Sequence, residues 1–168
     1  MSGARADTLW REYAPFAGVS PRDVEAVDLD GDGDLDLVIA DVSGDELHVA
    51  VNRAGAFEIV STVALSGSVT GMDVGSVDPD GTVDVLVGTN NGLYWVPTDG
   101  LTLGSPTTIA TATEEVRRPK LGDVDGDGDL DAVTGYWGAV QLVWYANDGA
   151  GVFGAAQVIA PLMVRQVV

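Results

Sequence analysis

The sequence contains no cysteine and a single histidine. Disulfides and thiolate metal sites are therefore excluded, the redox compartment leaves no trace, and a zinc site of the Cys/His kind is disfavoured. Basic residues are scarce, with eight Lys and Arg against 26 Asp and Glu and a net charge of −18. That deficit rules out nucleic acid as a natural partner, because phosphate binding needs a basic face, and it disfavours an anionic membrane surface. No apolar run approaches the length of a membrane span, so membrane insertion is not expected, and Met1 to Gly18 lacks the apolar core of a signal peptide. On that ground the chain is expected to be intracellular or a piece of something longer. No Asn-x-Ser/Thr acceptor occurs, so glycosylation leaves the location open.

What is present is acid in clusters. Asp28, Asp30, Asp32, Asp34 and Asp36 form one; Asp123, Asp125, Asp127, Asp129 and Asp131 form another; Asp78, Asp80 and Asp84 form a thinner third. Like charges this close repel unless a cation sits among them. A charge run is ordinarily a solvated face, but regular spacing with embedded glycines makes that the weaker reading here. The rest of the composition, 46% hydrophobic and 20% charged over 168 residues, is that of one globular domain.

The clusters belong to an internal repeat. Val27 to Asp36 aligns with Gly75 to Asp84 and with Gly122 to Asp131, and the first loop positions 28, 76 and 123 stand 48 and 47 residues apart. Downstream, Leu93-Tyr94-Trp95-Val96 matches Leu142-Val143-Trp144-Tyr145, and Leu47-His48-Val49-Ala50 holds the same place in the first copy. No helical periodicity occurs. Strands are expected at about 24–28, 36–41, 46–52 and 57–64, then 69–75, 84–89, 92–97 and 106–110, then 119–123, 131–136, 140–146 and 152–159. Four short strands at this period predict an all-β fold, a segment of β-propeller made of four-stranded antiparallel blades with repeats at about 19–66, 67–115 and 116–163. Apolar stretches such as Leu35 to Ala40 are expected to be inner strands buried on both faces. Leu9 to Tyr13 and Val164 to Val168 read as a lone outer and a lone inner strand flanking three full blades. Three blades cannot close a ring, so the expectation is part of a longer chain or a homo-oligomer that covers the open edges.

The loops have the chemistry of calcium sites. Ca²⁺ takes six to eight hard oxygen ligands, and a nine-residue loop with acids at positions one, three, five and nine and a backbone carbonyl at seven supplies them. Glycine at position six allows the sharp turn. The first loop offers Asp28, Asp30, Asp32 and Asp36 with the Asp34 carbonyl, and the third offers Asp123, Asp125, Asp127 and Asp131 with the Asp129 carbonyl. The middle loop is degraded, with Ser76 in the first place, Pro79 stiffening the turn and Thr82 at the carbonyl position, leaving Asp78, Asp80 and Asp84. An EF-hand needs a bidentate Glu at position twelve and flanking helices. Ile39 and Thr134 stand there and the flanks are strands.

The D-x-D-G-D-G-x-x-D loop in a blade-sized repeat, followed by Trp144-Tyr145-x-Asn147-Asp148-Gly149-x-Gly151-x-Phe153, resembles FG-GAP/VCBS repeats, as in integrin α-chain propellers and many secreted proteins. The resemblance implies a propeller of seven, sometimes six or eight, blades and calcium between the first two strands of a blade. It also implies an extracellular or cell-surface role in adhesion or recognition, with a protein or carbohydrate ligand.

Some residues invite other readings. Trp95 and Trp144 share a repeat column with Val49 and are read first as packing; Tyr94, Tyr136, Trp137 and Tyr145 are candidates for a sugar or partner surface, as in lectin-like propellers. His48 is read as a strand residue at a blade surface. No nucleophile elbow, metal-binding His pair, phosphate loop or dinucleotide fingerprint occurs, so no catalytic residue is assigned; an accessory propeller of a larger enzyme is the remaining alternative.

Overall fold

Runs such as Asp36-Leu37-Val38-Ile39-Ala40-Asp41 are aliphatic throughout their middle, which suits a strand covered on both faces. A computed structural model of the chain describes residues 16–161 and contains strands and turns only; among the described residues no helix is long and apolar enough to cross a membrane. The first sheet holds β1 (Pro21–Val27), β2 (Asp36–Asp41), β3 (Glu46–Arg53) and β4 (Ala56–Ala64) in that antiparallel order. The next begins with β5 (Val69–Gly75), β6 (Asp84–Thr89) and β7 (Gly92–Val96). A short hairpin of β8 (Thr98–Asp99) and β9 (Thr102–Leu103) intervenes before β10 (Thr107–Thr111) pairs with β7. The third sheet is β11 (Val116–Gly122), β12 (Asp131–Tyr136), β13 (Gln141–Tyr145) and β14 (Gln157–Pro161). The fold is the anticipated propeller segment, and its three sheets do not close into a ring.

The repeat holds at the level of single cross-strand pairs. Val38 faces Val49, Leu86 faces Trp95 and Val133 faces Trp144. Period-two alternation then sorts each sheet's side chains between its neighbours. Val85, Val87, Tyr94 and Val96 pack with Val38, Ala40, Leu47 and Val49 of the first sheet. Leu86 and Leu93, one step out of phase, pack with Val116, Ala132, Val143 and Tyr145 of the third. The middle sheet is thus covered on both sides, and β6 is buried at every position. Leu86 is fully buried, so truncating it to alanine costs about 2–5 kcal/mol.

β2 and β6 are buried almost throughout, as expected of strands covered on both faces, and the first strand of each sheet also approaches its neighbour: β1 packs on β5, and β5 on β11. Aspartates stitch this side. Asp23 accepts a hydrogen bond from the Met72 amide at 3.0 Å, and Asp73 accepts from the Leu121 amide at 2.9 Å and the Lys120 ammonium at 3.0 Å. The expected strand at 152–159 is shorter and later, at Gln157–Pro161. The residues before it are drawn into a turn, closed by a bridge between Asn147 and Phe153 and by the Gly151 amide donating to Asn147 at 3.1 Å. Leu9 to Tyr13 and Val164 to Val168 lie outside the described residues.

Candidate metal sites

Each aspartate loop joins the first two strands of a sheet, so chain reversal brings alternate side chains to one side. Gly33 and Gly128, at position six of the intact loops, have φ of 93° and 103°, a left-handed conformation that other residues adopt only with strain. The fold gathers Asp28, Asp30 and Asp32, and likewise Asp123, Asp125 and Asp127, with one carboxylate oxygen of each within 4.8 Å of the others.

Loop amides hold these carboxylates in place. Asp28 accepts from Gly31 at 2.8 Å and Gly33 at 3.0 Å, Asp30 from Asp32 at 3.2 Å, and Asp32 from Asp34 at 2.8 Å. The third loop repeats the pattern, with Asp123 accepting from Gly126 at 2.7 Å and Gly128 at 3.2 Å, Asp125 from Asp127 at 3.2 Å, and Asp127 from Asp129 at 3.0 Å. Carboxylates converge with only other carboxylates across the gap. Desolvation, reinforced by the charges of Asp127, Asp131 and Asp123, raises the Asp125 carboxyl above its ordinary value. A donor set of hard oxygens alone suits Ca²⁺ or Mg²⁺ and not a soft metal.

Position nine behaves differently. Asp36, Asp84 and Asp131 are buried, and each divides its two oxygens between backbone amides. Asp36 accepts from Leu29 at 3.1 Å and Asn52 at 2.8 Å. Asp84 accepts from Val77 at 3.1 Å and Thr98 at 2.9 Å, and Asp131 from Val124 and Asn147, each at 2.9 Å. This carboxylate is a brace between the loop and the end of the third strand. It stands outside the clusters of three, although each oxygen keeps a second lone pair. Burial pushes the Asp84 carboxyl up, with the Asp78 charge adding to it against the two amides.

The middle loop gathers no third carboxylate. Asp78 accepts from the Asp80 amide at 3.1 Å. Asp80 accepts from the Thr82 hydroxyl at 2.7 Å and amide at 2.8 Å, and these two bonds lower its carboxyl below the ordinary value. Ser76 turns its hydroxyl to the Asp78 carbonyl at 3.2 Å. Among the other candidates, Tyr94 and Tyr145 are buried, and the Tyr136 and Tyr145 hydroxyls bond each other at 2.6 Å. Trp95 packs its ring over Gly151 of the following sheet, where an added Cβ would strike it. Trp137 alone of this group is widely exposed, at 68%, with the Arg117 guanidinium 4.5 Å from its ring centre.

Two further groupings escaped sequence reasoning. A cavity of about 450 Å³ lies among the first strands of the three sheets, lined by Arg22, Arg117, Arg118 and Lys120 beside Asp23 and Glu25. It concentrates four of the chain's eight basic residues. The second is Asp41, Glu46 and His48, whose ligand atoms also meet within 4.8 Å. His48 is buried, at 6% exposure, rather than standing at a blade surface. The only sequence signal for this trio is that its members flank one Ser-Gly turn on the same strand face.

A family model described as FG-GAP-like repeat matches residues 28–87 and again residues 77–134. No curated protein matches the chain. Among solved structures, a chain of the Photorhabdus luminescens Tc holotoxin pore is similar, with a TM-score of 0.51 and 22% identity. The match covers 83% of this chain and 7% of that one, and the likeness concerns the fold.

Proposed function

Because the chain belongs to the FG-GAP-like repeat family, we propose that it is a non-catalytic propeller module whose Asp28–Asp36 and Asp123–Asp131 loops bind Ca²⁺ and whose faces recognise a partner in adhesion or ligand interaction. The observation that carries the calcium reading is the convergence of three carboxylates in each intact loop, oriented by loop amides before any ion arrives. Asp28, Asp30 and Asp32, with their counterparts Asp123, Asp125 and Asp127, are the main ligands. The Asp34 and Asp129 carbonyls and a free lone pair on Asp36 and Asp131 complete the shell. Asp78, Asp80, Thr82 and Asp84 make a weak site at best, since the first ligand is missing. A Ca²⁺ ion supplies the positive charge that offsets the repulsion among these groups.

Three sheets are fewer than a propeller needs to close, so the module works within a longer chain or in an assembly of copies, and the family resemblance favours the cell exterior. A carbohydrate ligand is the second reading, favoured by exposed Trp137 beside the basic cavity; sugar-dependent quenching of tryptophan fluorescence tests it. The calcium reading is tested by thermal melts in EDTA and in millimolar CaCl₂. A ligand at a hundredfold excess over its Kd adds about 2.7 kcal/mol per site, so the midpoint should rise with calcium. Identical midpoints would sink the proposal.

A further inference from the structure

We propose that Asp41, Glu46 and His48 form a binding site for one divalent transition-metal ion of the zinc type, separate from the aspartate loops. The loops meet β2 at Asp36, whereas this trio sits at the opposite end of that strand, about 16 Å away at the rise of a β-strand. Asp41 and Glu46 are cross-strand partners, and His48 lies two residues along β3 on the same sheet face.

The buried imidazole carries the argument. His48 is 6% exposed, and its Nε2 makes no hydrogen bond. It points between two carboxylates, 3.7 Å from Asp41 Oδ2 and 3.8 Å from Glu46 Oε2. Both gaps exceed a hydrogen bond, and a buried polar atom left unpaired is costly. A zinc ion accepts imidazole nitrogen and carboxylate oxygen at about 2.0–2.2 Å. Two such ligands can stand as far as about 4.2 Å apart across the ion, so both separations fit with little movement.

The surroundings are those of ligands held in advance. His48 Nδ1 lies 2.8 Å from Thr62 Oγ1; with the proton on Nδ1 donated to that hydroxyl, Nε2 presents its lone pair to a metal. Asp41 is fixed by the Ser20 and Ser43 amides, each at 2.8 Å from Oδ1, and by the Ser43 hydroxyl. Glu46, 36% exposed on its side chain, leaves an open side for water as a further ligand. Gly44 gives it room: a Cβ there would come within 2.8 Å of Glu46 Oε2. The later repeats place Thr89 and Tyr136 where Asp41 stands, and Tyr94 and Val143 where His48 stands. The blade fold itself therefore does not require this trio.

The test is calorimetric titration of ZnCl₂ into the tag-free chain held in millimolar CaCl₂, which occupies the aspartate loops. One zinc equivalent is expected, lost in His48→Gln. In Gly44→Ala, which displaces only the flexible end of Glu46, affinity should fall about tenfold, as when a metal site's supporting contacts are lost, with circular dichroism and melting unchanged. Should His48→Gln fail to fold, Glu46→Gln supplies the same readout at a partly exposed position. The His48 ¹⁵N signal of Nε2 should move on adding zinc. A wild-type chain that takes up no zinc, uptake indifferent to these substitutions, or a His48 signal that responds to pH alone would each overturn the proposal.

Discussion

The intact first and third loops and the degraded middle loop each join the first two strands of a sheet but are held closed by different chemistry. In the intact loops the first aspartate receives two amides, at positions four and six, and presents its charge to two further carboxylates. In the middle loop the acceptor and one donor have gone together: Ser76 has no carboxylate to offer, and Pro79 has no N–H to give. The Thr82 hydroxyl bonds Asp80 instead and also reaches the Thr98 carbonyl at 2.9 Å. In the third loop desolvation, with repulsion from its neighbours, raises Asp125, while in the middle loop the Thr82 bonds lower Asp80. The first and third loops keep three converged carboxylates; in the middle one Thr82 takes up Asp80.

If the position-nine aspartate is a brace common to all three loops, removing it should hurt whether or not an ion is present. Asp84→Ala orphans the buried Val77 and Thr98 amides, at about 1–3 kcal/mol for each unsatisfied donor. Urea unfolding in EDTA should therefore show a loss of about 2–6 kcal/mol, and an unchanged midpoint would break the comparison. Asp28→Ala sharpens it from the other side. Its partners Gly31 and Gly33 are exposed, so the EDTA midpoint should move little. The calcium-dependent increment, about 2.7 kcal/mol at a hundredfold excess over Kd, should fall by one site's share.

The paired loss in the middle loop predicts that one repair is not enough. Ser76→Asp alone regains an acceptor for the Gly81 amide but no position-four donor. With Pro79→Gly added, calorimetry should count one more calcium than in the parent chain; equal stoichiometry in the single and double variants would refute the coupling. The smallest effect concerns pH. Asp80, lowered, lends stability that is present above the ordinary value of 3.8 and is lost as pH falls through its folded value. Asp125, raised, works in reverse: its contribution is present below 3.8 and is lost as pH rises through its folded value. Carboxyl NMR titration in EDTA should give Asp125 the higher midpoint, and Thr82→Val should move Asp80 upward.

Much of this was legible in the residues. β2 falls on 36–41 as expected, and β3 and β4 differ from expectation by one residue, because aliphatic runs between Gly, Asn and Asp breaks define them locally. The β8–β9 hairpin escaped because two residues a side carry no period, and the fourth strand of the third repeat slipped because Asn147 draws the chain into a turn. The brace could not be distinguished from a ligand by spacing, since both need a carboxylate at position nine. What separates them is burial and the amides of residues 52, 98 and 147, far along the chain. His48 was misplaced for a similar reason: Asp41 and Thr62, two of its neighbours, stand across hairpins.

The position-nine brace also bears on how such a repeat changes over generations. Because Asp84 ties loop to strand through the Val77 and Thr98 amides, changes at positions one and four leave that tie in place. A carboxylate cluster can then be lost, or regained, while the neighbouring loops keep theirs. An array built this way can carry loops with and without the cluster side by side, so whatever cation affinity the clusters confer changes one repeat at a time.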